Sequence, residues 1–600
     1  MRTVHEVALP GNPIVDQLAE GKPINQANAL LHCASEIVMV NDCNQGADLE
    51  QWIFLPQLLC EFHTDGFGRH LPNKRIRIVG FRENIFTESE GIVGRSGALN
   101  EFTFGTIIQR ELHVTLGARL HYGHPDCFDF CFVVGQGGMS KMSKTINVSE
   151  DIFGGLNVVA RGGKIDYADY MHIDKGRDVQ YDAALGFEGK IAGGTSVHTL
   201  SRDYHRMMSS PLAFFHKVSL YVGAFGYFFS NLLLVNSITL LTTLHAVVSL
   251  LPEGEQFLVY AYTASYISIF NIGYVYLFAL VVQLYAERGI KQAIYAVYAV
   301  LVSIPLSLCK MKTHNYYVHR GLALGLAKYV ATGRDLPTKR VDFVNVFTRY
   351  CVSHLSPAFD LMVLLLVFLE FSALGSNFYI QSGLVLWLAA LSWFLGPALY
   401  NPLAFSYKDV LNDITTWGHW LRSEAFQTWL FGQEASSEKG DLNHNNWYSW
   451  LNMEPTVLKV ILAAYHSLLY GTLSIAITLR LQLIVSTETG SYKLPAEGLQ
   501  WILILMLLAA LLYAAKVKRE AVISLVGFVF IALVGLLVYR QGIFNILWKI
   551  LLLAYIFCQA LQGLLQLALV FWAYAAPIKG VRATALIPSS SQVCLVDSAH

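Results

Sequence analysis

The sequence predicts an α/β segment over residues 1–205, an interfacial amphipathic helix over 206–221 and an all-α, multi-pass membrane bundle over 222–600. Three observations lead there. The 600 residues are 54% hydrophobic and only 14% charged, with a mean hydropathy of +0.43, which exceeds soluble norms and suits a polytopic membrane protein. The long apolar runs all begin after residue 218. Before residue 210 the chain alternates strand-like runs with turns rich in Gly, Pro and charge. A net charge of zero gives no bulk attraction to nucleic acid or to an acidic partner, so no nucleic-acid partner is expected. Nine cysteines without CxxC spacing fit a reduced, cytosolic setting. Met1 to Glu50 lacks a basic segment followed by a compact apolar run, so the first membrane helix is expected to serve as the insertion signal.

The chain opens on a turn, Leu9-Pro10-Gly11-Asn12-Pro13. A strand, Glu36-Ile37-Val38-Met39-Val40, then runs into Asn41-Asp42-Cys43-Asn44-Gln45. Acid and amide groups at the carboxyl end of a strand are where α/β folds hold ligands, although a polar turn closing the strand reads equally well. A second strand, Lys74 to Gly80, leads into Phe81-Arg82-Glu83-Asn84-Ile85-Phe86-Thr87, and a helix is expected within 102–120.

The densest chemistry lies between His121 and Asp151. Gly123 and Pro125 exclude a regular helix there, so the loop can present His124 and Asp126 to a ligand. His121 and His124 lack the helical i, i+4 face of zinc proteases, and no metal ligand set is expected. Gly137-Gly138-Met139-Ser140-Lys141 reads as a phosphate-approach loop with Lys141 as its cation. Ser149-Glu150-Asp151 reads either as a helix N-cap with favourable dipole charges or as a general base for a hydroxyl acceptor. Arg161 to Lys164, Asp174 to Asp178 and Ser201 to Tyr204 then set cations among glycines, a pattern suited to a pyrophosphate leaving group. Taken singly, each reads as a solvated loop.

Apolar runs near 222–250, 258–284, 357–376, 379–399, 458–485, 499–516, 520–539 and 546–575 give about eight spans. The run at 289–308 is expected to lie in the interface or re-enter, because Lys310, Lys312, Arg320, Lys328, Arg334, Lys339, Arg340 and Arg349 behind it mark a cytosolic loop near 309–356. A second cytosolic loop, near 400–456, carries Trp417, Trp420, Trp447 and Trp450, residues of an interfacial belt. The same charge rule places both termini in the cytosol.

These motifs resemble the carboxyl-terminal portion of the 1,3-β-glucan synthases, the fungal glucan synthases and plant callose synthases of glycosyltransferase family 48. The resemblance rests on LPGNPI (9–14), DCNQ (42–45), FRENIFT (81–87), RLHYGHPDCFD (119–129), GGMSK (137–141), SEDIFGGLN (149–157), KGRD (175–178) and LSRDYHR (200–206), with AKYVATGR (327–334) and GPALYNPLAF (396–405) in the membrane half. It implies a GT-A-like cytosolic domain, similar to that of cellulose and chitin synthases. It implies inverting, processive transfer of glucose from UDP-glucose to a growing 1,3-β-glucan, with extrusion of the polymer through the plasma membrane. It also implies membrane lipids, a small regulatory GTPase and other synthase subunits as partners.

By the same resemblance Asp151 is the acceptor-activating aspartate, with Glu150 and Asp126 as further catalytic carboxylates. Asp42 and Asn44 stand near the uridine diphosphate, and His124, Lys141, Lys175, Arg177, Asp178 and Arg202 line the donor and acceptor pocket. No resident cofactor is implied. A divalent cation stays open, Asp42-Cys43-Asn44 being the nearest approach to Asp-x-Asp. The chain departs from the family at Ala8, at Ala34-Ser35, at Gly46 and at Ser196-Val197-His198-Thr199, where a Gly-Glu-Gln is usual. Family members are also longer. An alternative therefore stands beside the first reading: an impaired or truncated accessory homologue acting as a binding subunit of a larger synthase complex.

Overall fold

The computed structural model describes residues 45–63, 76–121, 162–199, 202–249, 271–324, 340–371, 375–401 and 408–426, with Ile37, Met39 and single positions from Ile152 to Val159. All of them belong to one compact unit, residues 1–450. Among the described residues the architecture is mostly helical, with one small sheet. Strands β1 (Gln45–Gly46), β2 (Ile76–Ile85) and β3 (Lys164–Lys175) lie in the order β1-β3-β2. β1 runs antiparallel to β3 and β2 parallel to it, with Ile78 opposite Ile165 and Ile85 opposite Lys175.

Ile76, Ile78, Val79, Phe81 and Ile85 give β2 its β-propensity, and the strand expected to end at Gly80 carries on through Arg82-Glu83-Asn84. Of the strand expected at 36–40, the described positions Ile37 and Met39 lie in no strand. A parallel pair needs a crossover. Here it holds α1 (Gly91–Glu101), a π-helical segment (Phe102–Ile108) and α2 (Gln109–Leu116), so the helix expected within 102–120 begins earlier. Gly117 ends α2 in the left-handed conformation, φ 60°, as a helix-terminating glycine does. Its carbonyl accepts Ile165 N at 2.7 Å, delivering the chain to β3.

Below the sheet Leu112, Leu120, Ile152, Leu156, Met207 and Leu220 form one buried cluster. Gly155 presses on the chain beside Leu120 so closely that a Cβ there would collide with the Arg119 carbonyl oxygen.

Helix α3 (Tyr181–Thr199) follows the KGRD turn, and α4 (Arg202–Ser209) and α5 (Phe214–Tyr221) follow α3. The interfacial helix expected over 206–221 is therefore two helices, parted around Pro211, which cannot donate to the helical ladder. Phe214 and Phe215 are exposed. A π-turn joins α5 to α6 (Tyr227–Ser249), making a continuous helical path. Helix α7 (Asn271–Leu324) breaks at Gly289, whose φ of 81° and ψ of 174° are not helical. Then come α8 (Phe343–Tyr350), a π-turn, α9 (Ser356–Phe371), α10 (Gly375–Leu399) and α11 (Val410–Trp420).

Among the described residues three stretches are long and apolar enough to cross a membrane: Phe214–Ala246, Val281–Leu322 and Phe343–Leu369; Gly383–Leu399 is a shorter apolar helix. The runs expected at 458–485, 499–516, 520–539 and 546–575 lie outside the described residues.

The basic segment after residue 308 differs from expectation. It does not open as a loop: α7 continues to Leu324, and Lys310 and Lys312 are buried on it. Hydropathy ended the run at the first lysine, whereas in the fold these cations meet buried polar partners. α7 also packs along α3 through small residues. A Cβ on Gly189 would strike the Tyr317 ring, and one on Gly321 would strike Ser196 Oγ, so both glycines permit close helix approach.

A candidate active site at the carboxyl ends of the parallel strands

In α/β folds, ligand groups gather beyond the carboxyl ends of parallel strands. At that edge Lys175 Nζ lies 3.6 Å from Glu83 Oε1, both side chains at or below 10% exposure. Gln45, opposite Lys175 on β1, donates to the same Glu83 oxygen at 3.0 Å. His121 Nε2 sits between two carboxylates, 3.0 Å from Glu83 Oε2 and 2.8 Å from Glu101 Oε1. Arg177 closes the cluster through an ion pair with Glu101.

Each member is held by its local backbone. Glu101 is the last residue of α1. In the π-helical segment that follows, Phe104 meets the His121 ring edge-on at 5.4 Å, and a Cβ on Gly105 would stand 3.3 Å from its Cδ2. Ahead of His121, Leu120 N donates to Gln109 Oε1 at 2.8 Å and Arg119 Nη2 donates to the Phe81 carbonyl at 3.2 Å, tying this chain to α2 and β2. Thr87 clips the KGRD turn: its Oγ1 accepts Arg177 N at 2.9 Å and donates to Arg177 O at 3.1 Å. Gly176 lies against Phe86, and a Cβ there would stand 2.9 Å from Cζ. The Arg177 guanidinium rests on the Phe187 ring at 4.6 Å.

Burial alone would lower the His121 pKa, but Glu83 and Glu101 outweigh it and lift the imidazole to about 9. Burial would likewise raise Glu101, yet Arg177 and His121 hold its carboxyl well below the usual range. His121, Lys175 and Arg177 thus meet Glu83 and Glu101, and Asp178 adds a third carboxylate acting on Arg177. Glu83, Glu101 and His121 offer ligand atoms within 4.8 Å of one another, a donor set of the right kind for a divalent ion. In this arrangement the two carboxylates pair with His121, Lys175 and Arg177, and a metal bound there would displace the imidazole proton.

The residues expected at the site divide accordingly. Lys175 and Arg177 enter the cluster, and Asp178 is buried directly after it, so this turn is not a solvated loop. Arg202 opens α4. Asp42, Asn44, His124, Asp126, Lys141, Glu150 and Asp151 lie outside the described residues. Ile152, which follows Asp151, is buried with Leu120, next to His121. The sequence reading passed over Gln45, Glu83, Thr87, Glu101 and His121 as site residues. A signal existed for Glu83, an acid near the end of a β-rich run; Glu101 sits in a helix that carries no recognised motif.

Residues far apart in the chain, Gln45 of DCNQ, Glu83 of FRENIFT, His121 of HYGHPD and Lys175 and Arg177 of KGRD, thus converge on one ion cluster. Residues 1–265 and 256–439 match the family model described as 1,3-beta-glucan synthase component. The chain belongs to the 1,3-β-glucan synthase family. Among curated relatives from Arabidopsis thaliana, it is 32% identical to callose synthase 9 over 437 residues, 70% of this chain and 22% of that protein. It is 31% identical to callose synthase 10 over 466 residues, 74% of this chain and 23% of the relative. It is 32% identical to callose synthase 11 over 473 residues, 76% and 25% of the two chains. The chain spans about a quarter of the length of the curated relatives it matches. Every member of the cluster falls inside the glucan synthase match.

Proposed function

We propose that residues 1–205 form a GT-A-like donor domain facing the cytosol, which transfers glucose from UDP-glucose to a growing 1,3-β-glucan. The membrane helices then pass the polymer across the plasma membrane. The observation that carries this reading is the convergence of Gln45 of DCNQ, Glu83 of FRENIFT, His121 of HYGHPD and Lys175 and Arg177 of KGRD on one ion cluster at the carboxyl ends of β2 and β3. The callose synthase names of the relatives supply the product class.

In an inverting transfer the acceptor hydroxyl oxygen attacks the anomeric carbon of glucose. The bond from that carbon to the diphosphate breaks, and UDP leaves with the electron pair. A carboxylate takes the acceptor proton. Asp151 is assigned that base, with Glu150 and Asp126 as supporting carboxylates. Lys175 and Arg177 neutralise the leaving diphosphate, for which a guanidinium offers five N–H donors in a fork. Asp42 and Asn44 hold the uridine diphosphate, while His124, Lys141, Asp178 and Arg202 line the pocket. Lys175 and Arg177 place cations at the strand ends, where an anionic leaving group would gain from them. A small GTPase and further synthase subunits belong to this reading as regulatory partners.

The test is incorporation of labelled glucose from UDP-glucose by membranes expressing the chain, with Asp151→Asn beside it. The polymer is then digested with a 1,3-β-glucanase. Glucanase-sensitive polymer from the parent chain alone is the expected result. Polymer from both chains would remove Asp151 from the chemistry, and none from either would overturn transfer by this chain.

A further inference from the structure

We infer that Lys310, on a helix long and apolar enough to cross a membrane, is a positioning residue that clamps both helices flanking the transfer site, α1 and α3, onto α7. This inference rests on the reading of the site given above. Lys310 Nζ lies 3.4 Å from Glu188 Oε1 on α3 and 3.0 Å from Ser96 Oγ on α1, with its side chain 6% exposed. One helical turn further along α7, His314 Nε2 meets the other Glu188 oxygen at 2.9 Å. Asn100 Nδ2, next to Glu101, donates to Glu188 Oε1 at 3.3 Å. The lysine thus reaches α1 within two turns of Glu101, and it reaches the helix that leaves the KGRD turn.

The electrostatics agree with a locked pair. Burial would raise the Glu188 pKa, but Lys310 and His314 bring it down to about 2. Adhesion alone does not call for such a pair. Charges inside a membrane-length helix are costly, and an apolar contact of similar volume often holds as well or better. What an ion pair adds is a defined distance and direction. Here it sets where Glu101 and Arg177 stand relative to α7, complementing the close approach of α3 and α7 at Gly189 and Gly321.

The experiment uses the full chain in lipid nanodiscs and compares the parent with Lys310→Met, Lys310→Arg and Ser96→Ala. Hydrogen exchange is followed over 91–101 and 177–188, and glucose incorporation is measured as a function of UDP-glucose. Lys310→Met is expected to raise exchange in both segments by about ten-fold or more, since it takes the lysine from a buried carboxylate and leaves it to His314 and Asn100. It should lower kcat by about ten- to a hundred-fold while KM for UDP-glucose moves by less than about two-fold, the mark of misplacement rather than lost donor binding. Lys310→Arg should retain most of both properties, and Ser96→Ala should loosen α1 alone. Unchanged exchange in α1 and α3 of Lys310→Met, or an effect on KM alone, would overturn the inference. If the parent makes no polymer, the transfer reading fails, and the exchange data still decide whether the clamp exists.

Discussion

Two buried ion clusters are built from similar side-chain types and differ in what they join. At the strand ends, Glu83 and Glu101 meet His121, Lys175 and Arg177, with Asp178 acting on Arg177 beside them. Between α3 and α7, Glu188 meets Lys310 and His314, a carboxylate held by a lysine and an imidazole. The first gathers four separated segments at the carboxyl ends of two parallel strands. The second joins two helices whose glycines already bring them together. A cluster at strand ends suits a ligand, whereas one sealed between helices suits placement.

The comparison can be broken at its carboxylates. Glu101→Gln should cost about 3 kcal/mol of stability, because Arg177 and His121 both lose a charged partner in the interior. It should also abolish polymer formation. Glu188→Gln should cost less, since the amide oxygen can still accept from Lys310. Urea unfolding of the two variants in detergent gives the order, and a larger loss for Glu188→Gln would reverse our view of which cluster is under more electrostatic load.

Packing offers the next test. Gly155→Ala drives a methyl group into the Arg119 carbonyl and should cost about 2 kcal/mol as an overpacked contact, read from the same unfolding curves. An unchanged midpoint would show that the segment after Asp151 does not rest on Arg119.

pH sharpens the contrast because both clusters hold a depressed carboxylate that fails in acid, whereas only the strand-end cluster holds a raised imidazole that fails in alkali. The folded pKa of His121, about 9, lies above its ordinary 6.5, so its contribution is complete below 6.5 and fades as pH rises towards 9. The folded pKa of Glu188, about 2, lies below its ordinary 4.5, so its contribution is complete above 4.5 and fades as pH falls towards 2. Limited proteolysis or exchange across pH should therefore loosen both 83–121 and the α3–α7 contact on the acid side, and 83–121 alone on the alkaline side. Alkaline loss of the α3–α7 contact with 83–121 intact would contradict the assignment. The smallest effect is expected at the surface, where Arg340 pairs with Asp409 and Asp413: Arg340→Ala should change stability by less than about 1 kcal/mol, measured by thermal unfolding.

Much of the site's address, and less of its wiring, was legible in the sequence. β2 showed itself through Ile76, Ile78 and Val79, and the KGRD turn through its cations among glycine. β3 stayed hidden because Asp166, Asp169, His172 and Asp174 dilute its apolar residues. In the fold they find partners that a hydropathy pattern cannot see, Asp169 with Arg82 and Arg110, and His172 N with Gln51 Oε1. Helix α3 was obscured by Gly186, Gly189, Gly193 and Gly194, poor helix formers in isolation. Two of these face Tyr317 of α7, and their value lies in that contact. Glu101 and Lys310 gave no warning because each gains its meaning from a residue more than seventy positions away.

The slip between β2 and β3 bears on how this segment tolerates changes of length. Phe81 pairs with Ala168 but Arg82 with His172, so residues 169–171 have no counterpart on the neighbouring strand. Strand faces alternate, which makes this stretch a parity gate for the turn beyond it. Deleting Tyr170 alone should turn Lys175 away from Glu83, whereas deleting Asp169 and Tyr170 together should leave it facing inward. Insertions and deletions in the strand should therefore survive in even steps, and a deletion library scored for folded chain would show that rhythm or its absence.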